Sequence, residues 1–563
     1  MAHSLLPELQ RPTTFNFATD VVDYWAANLA PGPALHWVSS DRKVERKLSF
    51  EHFSRESHRI AVLFRQNLQV EEGARMLVIL PRIPEWWEVA TAAIRAGIVL
   101  CPATSLLVGH DIAHRLQRTR ATLFVGDAVS VAKVLSVRAE CPDLEHIIQI
   151  GDSPPPGVIN YHRSLNAVST YAKFAGVDPK VDRAAILYFT SGTSGQPKMV
   201  QQNAISYPLA HTITGKHWLR LTRDSLYWNM AEQGWGKAAW AYFGACNCGA
   251  GLFVFDDRGA FSAERTLSIL QDYPITTLCA PPTAYRQLVM KENQRGYDQE
   301  RLKSLVHCVS AGEPLNAEVI KMWKGMTGRE ISEGYGQTEC ILVCGNFANS
   351  PLRPGSMGLP APGVPLHVID ESGAICPAGV EGDMAIKIDD TDSSKFFGIF
   401  DGYLGEDGVL DRRLKRATSG EDWYPTGDRA IVDDAGYFWF VGRSDDVINS
   451  AGYRIGPFEV ESTLKEHSAV VESAAVSSPD PDRGEVVKAF IVLTRESANL
   501  DQQKLTKDLQ NFCKKRAAPY KYPRRIQFVT ADWLARFKTA SGKTQRKRLK
   551  ELEWQPAREK AKL

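Results

Sequence analysis

What the 563-residue chain lacks first is charge of one sign. It carries 67 Lys and Arg against 65 Asp and Glu, a net charge of +2. A dedicated nucleic-acid binder needs a basic surplus for its phosphate contacts, so that class is excluded. Long apolar runs are missing too. No segment reaches the roughly 18 residues of a membrane span. The longest candidate, residues 241–255, is interrupted by Asn247 and by Gly244, Gly249 and Gly251. The opening stretch has no basic region followed by an apolar one, which speaks against a secretory signal. It carries Glu8 and Asp20 and is not rich in Arg or Ser, which speaks against a transit peptide. The ten cysteines are scattered, with no C-x-x-C pair, and Cys246 and Cys248 have no second pair at zinc-finger spacing. Buried free thiols in a reducing compartment are the expectation. Repeats and low-complexity tracts are absent, and 44% hydrophobic with 23% charged residues excludes disorder or coiled coil for the whole chain.

What is present is a long alternation of strands and helices. Short apolar runs at 75–81, 98–102, 121–126 and 145–151 read as strands, and 50–68 and 86–96 have helical spacing. The alternation continues with strands at 185–190, 252–255, 277–280 and 306–309. It implies βαβ units and mostly parallel sheet. Residues 355–441 are rich in glycine, proline and short strands, which suggests an antiparallel β subdomain with a turn at 434–436. After Gly442 the pattern resets to a compact α+β unit: helix 455–467, strands 469–478 and 486–493, helix 505–516 and strand 525–529. The expected class is therefore α/β, with a boundary at 443–446. The basic tail after Gly542 reads as a solvated end.

Five strings carry chemistry. After a strand, Thr190, Ser191, Gly192, Thr193, Ser194, Gly195, Gln196, Pro197 and Lys198 combine two glycines, four hydroxyls and a lysine. Glycines let backbone approach a ligand, and N–H groups, hydroxyls and a lysine suit phosphate oxygens. A plain Ser/Gly loop is the alternative. The string is not a Walker P-loop. Gly542, Lys543 and Thr544 supply the end of that motif, but Phe537 stands at its first glycine. The other strings are Ser310–Pro314, Glu333–Glu339, Tyr424–Arg429 and Gly442–Gly456, each of which alone could be turns and solvated charge.

In order and content these strings resemble the adenylate-forming superfamily of acyl-CoA synthetases, luciferases and peptide-synthetase adenylation domains. Residues 80–87, 454–461, 477–490 and 518–524 look like the medium-chain acyl-CoA synthetases in particular, and the resemblance covers about residues 20–553. It implies a large N-terminal domain of α/β subdomains and a β-rich subdomain (1–442), a hinge (443–446) and a small mobile C-terminal domain (447–563). It also implies two steps: a carboxylate attacks the α-phosphate of ATP, and CoA thiol then displaces AMP.

Residue by residue, the resemblance implies that Thr190 to Lys198 hold the ATP phosphates and that Glu339 is a Mg²⁺ ligand. Thr338 sits at the α-phosphate and acyl carboxylate. Gly312, Glu313 and Pro314, with Glu333, Gly334, Tyr335, Gly336 and Gln337, form the adenine pocket, where Tyr335 can stack on the base. Asp428 accepts the ribose hydroxyls and Arg443 makes a second ribose contact. Lys543 is the catalytic lysine, whose ammonium suits the negative charge built up in adenylation. Asp445 is the hinge residue. Ala451, Gly452 and Tyr453 line the pantetheine channel, Arg454 contacts substrate, and Arg483, Lys514 and Tyr522 contact CoA. ATP, Mg²⁺ and CoA are thus the implied cofactor and co-substrates.

The chain departs from the pattern at Thr544, Cys340 and Leu106, and by about four extra residues within 530–537. The acyl pocket is expected along residues 228–243, where Trp235 is the substrate candidate. Trp235, Trp240, Tyr242 and Phe243 could equally be core. Bulk there fits a medium-chain or aryl acid better than a very long chain. Two other readings stay open: a ligase for an aryl or polyketide-derived acid, and an inactive nucleotide-binding scaffold. Ala561, Lys562 and Leu563 resemble a peroxisomal address, read by an import receptor, with cytoplasm as the alternative.

Overall fold

In the computed structural model the described residues build two nine-stranded sheets and two five-stranded sheets. The structure describes all residues except 1–10, 29–31, 179, 191–196, 314, 349, 390–395, 445, 451–452, 481–482, 517–520, 540–541 and 561–563. One large sheet runs parallel from Ala184–Thr190 through Val99–Pro102, Arg75–Ile79, Leu123–Asp127, His146–Ile150 and Ile159–Asn160. The other has parallel strands Leu35–Val38, Gly251–Phe255, Leu226–Asn229, Thr277–Cys279, His307–Ala311 and Ile331–Gly336. The expected parallel sheets are therefore present, but antiparallel strands extend their edges. Lys198–Asn203 and Gly402–Leu404 extend the first sheet, and Leu342–Gly345 and Glu45–Leu48 the second.

Helices Phe50–Val62, Glu85–Ala96 and Gly236–Asn247 share the main apolar core with both sheets. Local sequence explains their limits. The Ser49 side chain accepts from His52 N at 3.2 Å and caps the first. Gly97, at φ 70°, ends the second in the left-handed region that favours glycine. Tyr242 and Phe243 belong to this core. Tyr242 meets Phe17 edge-on and bonds Thr91 at 2.5 Å, and Phe243 packs on Phe17. All ten cysteines are free, and no described helix is long and apolar enough to cross a membrane.

Strands Leu366–Ile369, Glu381–Ile388, Asp422–Val432 and Phe438–Arg443 form an antiparallel sheet, as the glycine-rich stretch implied. The last sheet joins Ile448–Ser450, Tyr453–Ile455, Val470–Asp480, Gly484–Leu493 and Arg525–Phe528. Part of the insertion before Lys543 is a helical turn, Ala531–Ala535. One expectation needs correction here. The basic tail is a helix, Arg546–Lys560, that buries Leu549 and pairs Glu553 with Lys488 at 2.5 Å. A buried leucine, ion pairs at Arg546 and Glu553 and a Trp554 hydrogen bond to Ser477 hold it where charge alone suggested solvent.

One glycine shows how closely these layers approach. Gly358 has φ +94°, and a Cβ there would lie 2.1 Å from the Gly345 carbonyl. Gly358→Ala combines backbone strain with overlap against main chain, an expected loss of roughly 3 kcal/mol. A thermal unfolding midpoint matching wild type would contradict this packing.

Candidate active site

The site gathers where strands of three sheets come together. Strand Ile331–Gly336 carries Glu333, Gly334, Tyr335 and Gly336, and Gln337, Thr338 and Glu339 follow it directly. Asp428 and Arg443 are register partners on neighbouring strands, so sheet pairing itself sets them side by side. Arg443 Nη1 lies 3.4 Å from Asp428 Oδ1. Tyr335 donates its hydroxyl to Asp428 Oδ2, and Gln337 Nε2 donates to the same oxygen at 3.0 Å. The Asp428 carboxylate is buried, so these donors replace water.

The phosphate string starts at the end of strand Ala184–Thr190 and finishes at the start of strand Lys198–Asn203. Thr190 and Lys198 face each other across the antiparallel pair that the string connects. Ser191, Gly192, Thr193, Ser194, Gly195 and Gln196 lie outside the described residues, whereas Pro197 is described. Lys198 Nζ stands 4.8 Å from the centre of the Tyr403 ring, and the Tyr403 hydroxyl donates to Glu339 Oε1 at 2.8 Å. Tyr403 therefore links the loop lysine to the expected metal ligand. Burial, then the Glu339 charge, pushes its phenol up from the ordinary value. Sequence reasoning missed Tyr403, which sits on Gly402–Leu404, beside Val200 of the lysine strand. It also missed Gln202 and Tyr207, which donate to the carbonyls of Thr338 at 2.7 Å and Gln337 at 3.1 Å.

The adenine candidates meet next to this. Gly312 takes φ +103°. Glu313 is 3.8 Å from Arg286, and Pro314 lies outside the described residues. Glu333 Oε1 accepts from Leu315 N at 2.7 Å, while Oε2 has no partner among the described residues. Burial raises the Glu333 carboxyl from its ordinary 4.5 to about 7, partly opposed by backbone hydrogen bonds. Between those values the native side chain stays protonated while the unfolded one ionises, so stability falls as pH rises from about 4.5 to 7. Glu333→Gln should lose that slope. Unfolding midpoints of both proteins from pH 5 to 8 test it, and parallel curves would show that Glu333 does not set the trend.

Trp235 precedes helix Gly236–Asn247 and is partly buried. A Cβ on Gly236 would lie 3.0 Å from Thr338 Oγ1, and one on Gly336 would lie 2.9 Å from the Trp240 ring. Trp240 thus packs against the strand that ends at Gly336 while sharing the core of Tyr242 and Phe243. Lys543 is exposed, and its segment is clasped by Thr539 N to Lys543 O at 2.8 Å and by Lys543 N to Thr539 Oγ1 at 3.0 Å. A Cβ on Gly542 would stand 3.4 Å from Thr283 Cγ2. Thr283 shares helix Pro282–Leu288 with Arg286, the partner of Glu313.

The CoA candidates are only partly brought together. Lys514 Nζ sits 4.2 Å from the centre of the Tyr522 ring. Arg483 is on the turn after Val470–Asp480, and no described contact joins it to that pair. Asp445, Ala451 and Gly452 lie outside the described residues; Tyr453 and Arg454 are described only as backbone in strand Tyr453–Ile455. No cluster of three or more His, Cys, Asp or Glu suited to a metal occurs among the described residues.

Known proteins resemble the chain along most of its length. The chain matches the family "AMP-binding enzyme" over residues 22–404 and "AMP-binding enzyme C-terminal domain" over 459–543. It is 42% identical to the mitochondrial acyl-coenzyme A synthetase ACSM5 of Mus musculus, over 96% of this chain and 91% of that protein. It is 41% identical to the mitochondrial ACSM3 of the same species, over 97% and 92%. An anthranilate CoA ligase, AuaEII, solved with anthranoyl-AMP, superposes at a TM-score of 0.83 with 28% identity, covering 99% of each chain. The relatives are mitochondrial by name, which overturns the peroxisomal address and import receptor read from Ala561, Lys562 and Leu563. Those three residues lie outside the described residues. A three-residue ending is too short a signal to outweigh similarity along nearly the whole chain.

Proposed function

The chain belongs to the AMP-binding enzymes and is an acyl-CoA synthetase, and from that premise we propose how its residues divide the reaction. The enzyme joins a carboxylic acid to CoA through an acyl-adenylate, releasing pyrophosphate and then AMP. We assign it a medium-chain fatty acid. The observation that carries the site reading is the link from Lys198 through Tyr403 to Glu339, one residue from Thr338.

Two anions must meet in the first step, so negative charge has to be offset. Residues 190–198 hold the triphosphate, with Lys198 beside it. Thr338 orients the acid carboxylate at the α-phosphate. Gly312, Glu313, Pro314 and Glu333 to Gln337 surround adenine, and Tyr335 stacks on it. Asp428 accepts the ribose hydroxyls, steadied by Arg443. Lys543 stabilises the charge that develops between carboxylate and phosphate. Glu339 fits Mg²⁺: its carboxylate is a hard oxygen donor and Tyr403 engages only Oε1. When bound, the ion would supply charge neutralisation.

For the second step residues 447–563 turn as a small domain about 443–446 at Asp445, against a larger 1–442 domain. Ala451, Gly452 and Tyr453 line the thiol channel, Arg454 and Trp235 face the substrate, and Arg483, Lys514 and Tyr522 hold CoA. Few residues need change φ and ψ for such a hinge.

A panel of octanoate, benzoate and phenylacetate with ATP and CoA, scored by pyrophosphate release, tests the substrate. Octanoate should lead. A lead for benzoate would favour the aryl-acid reading, which the Trp240 contact with Gly336 supports. No acyl-AMP from any acid would favour the inactive scaffold.

A further inference from the structure

Lys237 is a polar group that the two half-reactions leave unused. It follows Gly236, whose Cβ position touches Thr338 Oγ1. Its own carbonyl is fixed by Asn229 Nδ2 at 3.0 Å. The ammonium turns toward the C-terminal edge of the parallel sheet and donates to the carbonyl of Ala311. Gly312 leaves room for it, since a Cβ there would lie 2.8 Å from Nζ. An ammonium has three donors, and Ala311 O is its one acceptor among the described residues. The nearby Glu313 carboxylate is already beside Arg286 at 3.8 Å. Burial lowers the Lys237 pKa, with Cys279 and Glu313 opposing. Lys237 is partly buried, and each of its donors that the acid would shut off from water needs an acceptor that a plain alkyl chain does not offer.

We propose that Lys237 reads the acid: the preferred substrate carries a hydroxyl or keto oxygen close to its carboxylate, and the Lys237 ammonium donates to that oxygen. The inference rests on the acyl-CoA ligase reading and narrows its substrate. A hydrogen bond from a charged donor is the kind of contact that separates substrates sharply, because the analogue lacking the acceptor leaves the donor unpaired.

The test uses two matched pairs, 3-hydroxyoctanoate against octanoate and 2-hydroxybenzoate against benzoate, with the full-length enzyme, ATP and CoA. Wild type should favour the hydroxylated member of at least one pair by about tenfold or more in kcat/KM. Lys237→Met should bring that ratio to near one, mainly through KM, and Lys237→Arg should recover part of it. A wild-type ratio of one or less in both pairs would overturn the proposal, as would a preference unchanged in Lys237→Met. Should Lys237→Met fail to fold, the wild-type ratios and Lys237→Arg still decide. Silence on every acid would instead overturn the ligase reading, and this one with it.

Discussion

Lys543→Ala should lower acyl-AMP formation by roughly a thousandfold, the scale of losing one preorganised charge-stabilising donor. It should leave thioester formation from supplied acyl-AMP within a few-fold of wild type. The two half-reactions separate because only the first builds negative charge between a carboxylate and a triphosphate. Structure supports a precise presentation of this lysine. Thr539 clasps its backbone on both sides, and Gly542, at φ +87°, rests against Thr283 on the helix whose Arg286 faces Glu313. Arg546 anchors the same segment from the other end, bonding Glu461 at 2.7 Å and lying 3.5 Å from Asp446, next to the proposed hinge residue. ATP–pyrophosphate exchange reads the first half-reaction and thiolysis of acyl-AMP the second. Equal loss of both would remove Lys543 from the role given to it.

The contrast between residues that were legible in the sequence and those that were not has a physical basis. Glu333 to Glu339 are contiguous, so a motif can display them. Asp428 and Arg443 are 15 residues apart, yet a hairpin register makes them neighbours, and a turn at 434–436 was readable. Tyr403 carries no such signal. It stands 64 residues from Glu339 on a three-residue strand, and only sheet pairing to the Lys198 strand brings it in. Gln202 and Lys237 are alike in this: each acts by reaching a backbone carbonyl, a target that no residue pattern announces. The tail helix carries nine charged residues among its fifteen, which reads as a solvated end, and the burial of Leu549 is invisible without the sheet it packs against.

Asp428→Asn should impair both half-reactions, which sets it apart from Lys543→Ala. The ribose is present in ATP and in acyl-AMP, so a residue that holds it serves both steps. The native carboxylate receives Tyr335 and Gln337 on Oδ2 and Arg443 on Oδ1. An amide keeps one acceptor oxygen, turns the other into a donor and discards the charge. The donors built around a buried anion are then left partly unpaired, at about 1–3 kcal/mol each. The expected result is a roughly hundredfold or greater fall in kcat/KM for ATP, carried largely by KM. Thiolysis of acyl-AMP at limiting concentration should fall by a similar factor. Tyr335→Phe is the informative companion. It deletes one donor but leaves the acceptor and the ring, so it should cost about tenfold or less. A Tyr335→Phe defect as deep as that of Asp428→Asn would mean that Asp428 serves to position Tyr335 and does not itself hold ribose. An Asp428→Asn defect confined to adenylation would move Asp428 from the ribose to the phosphates.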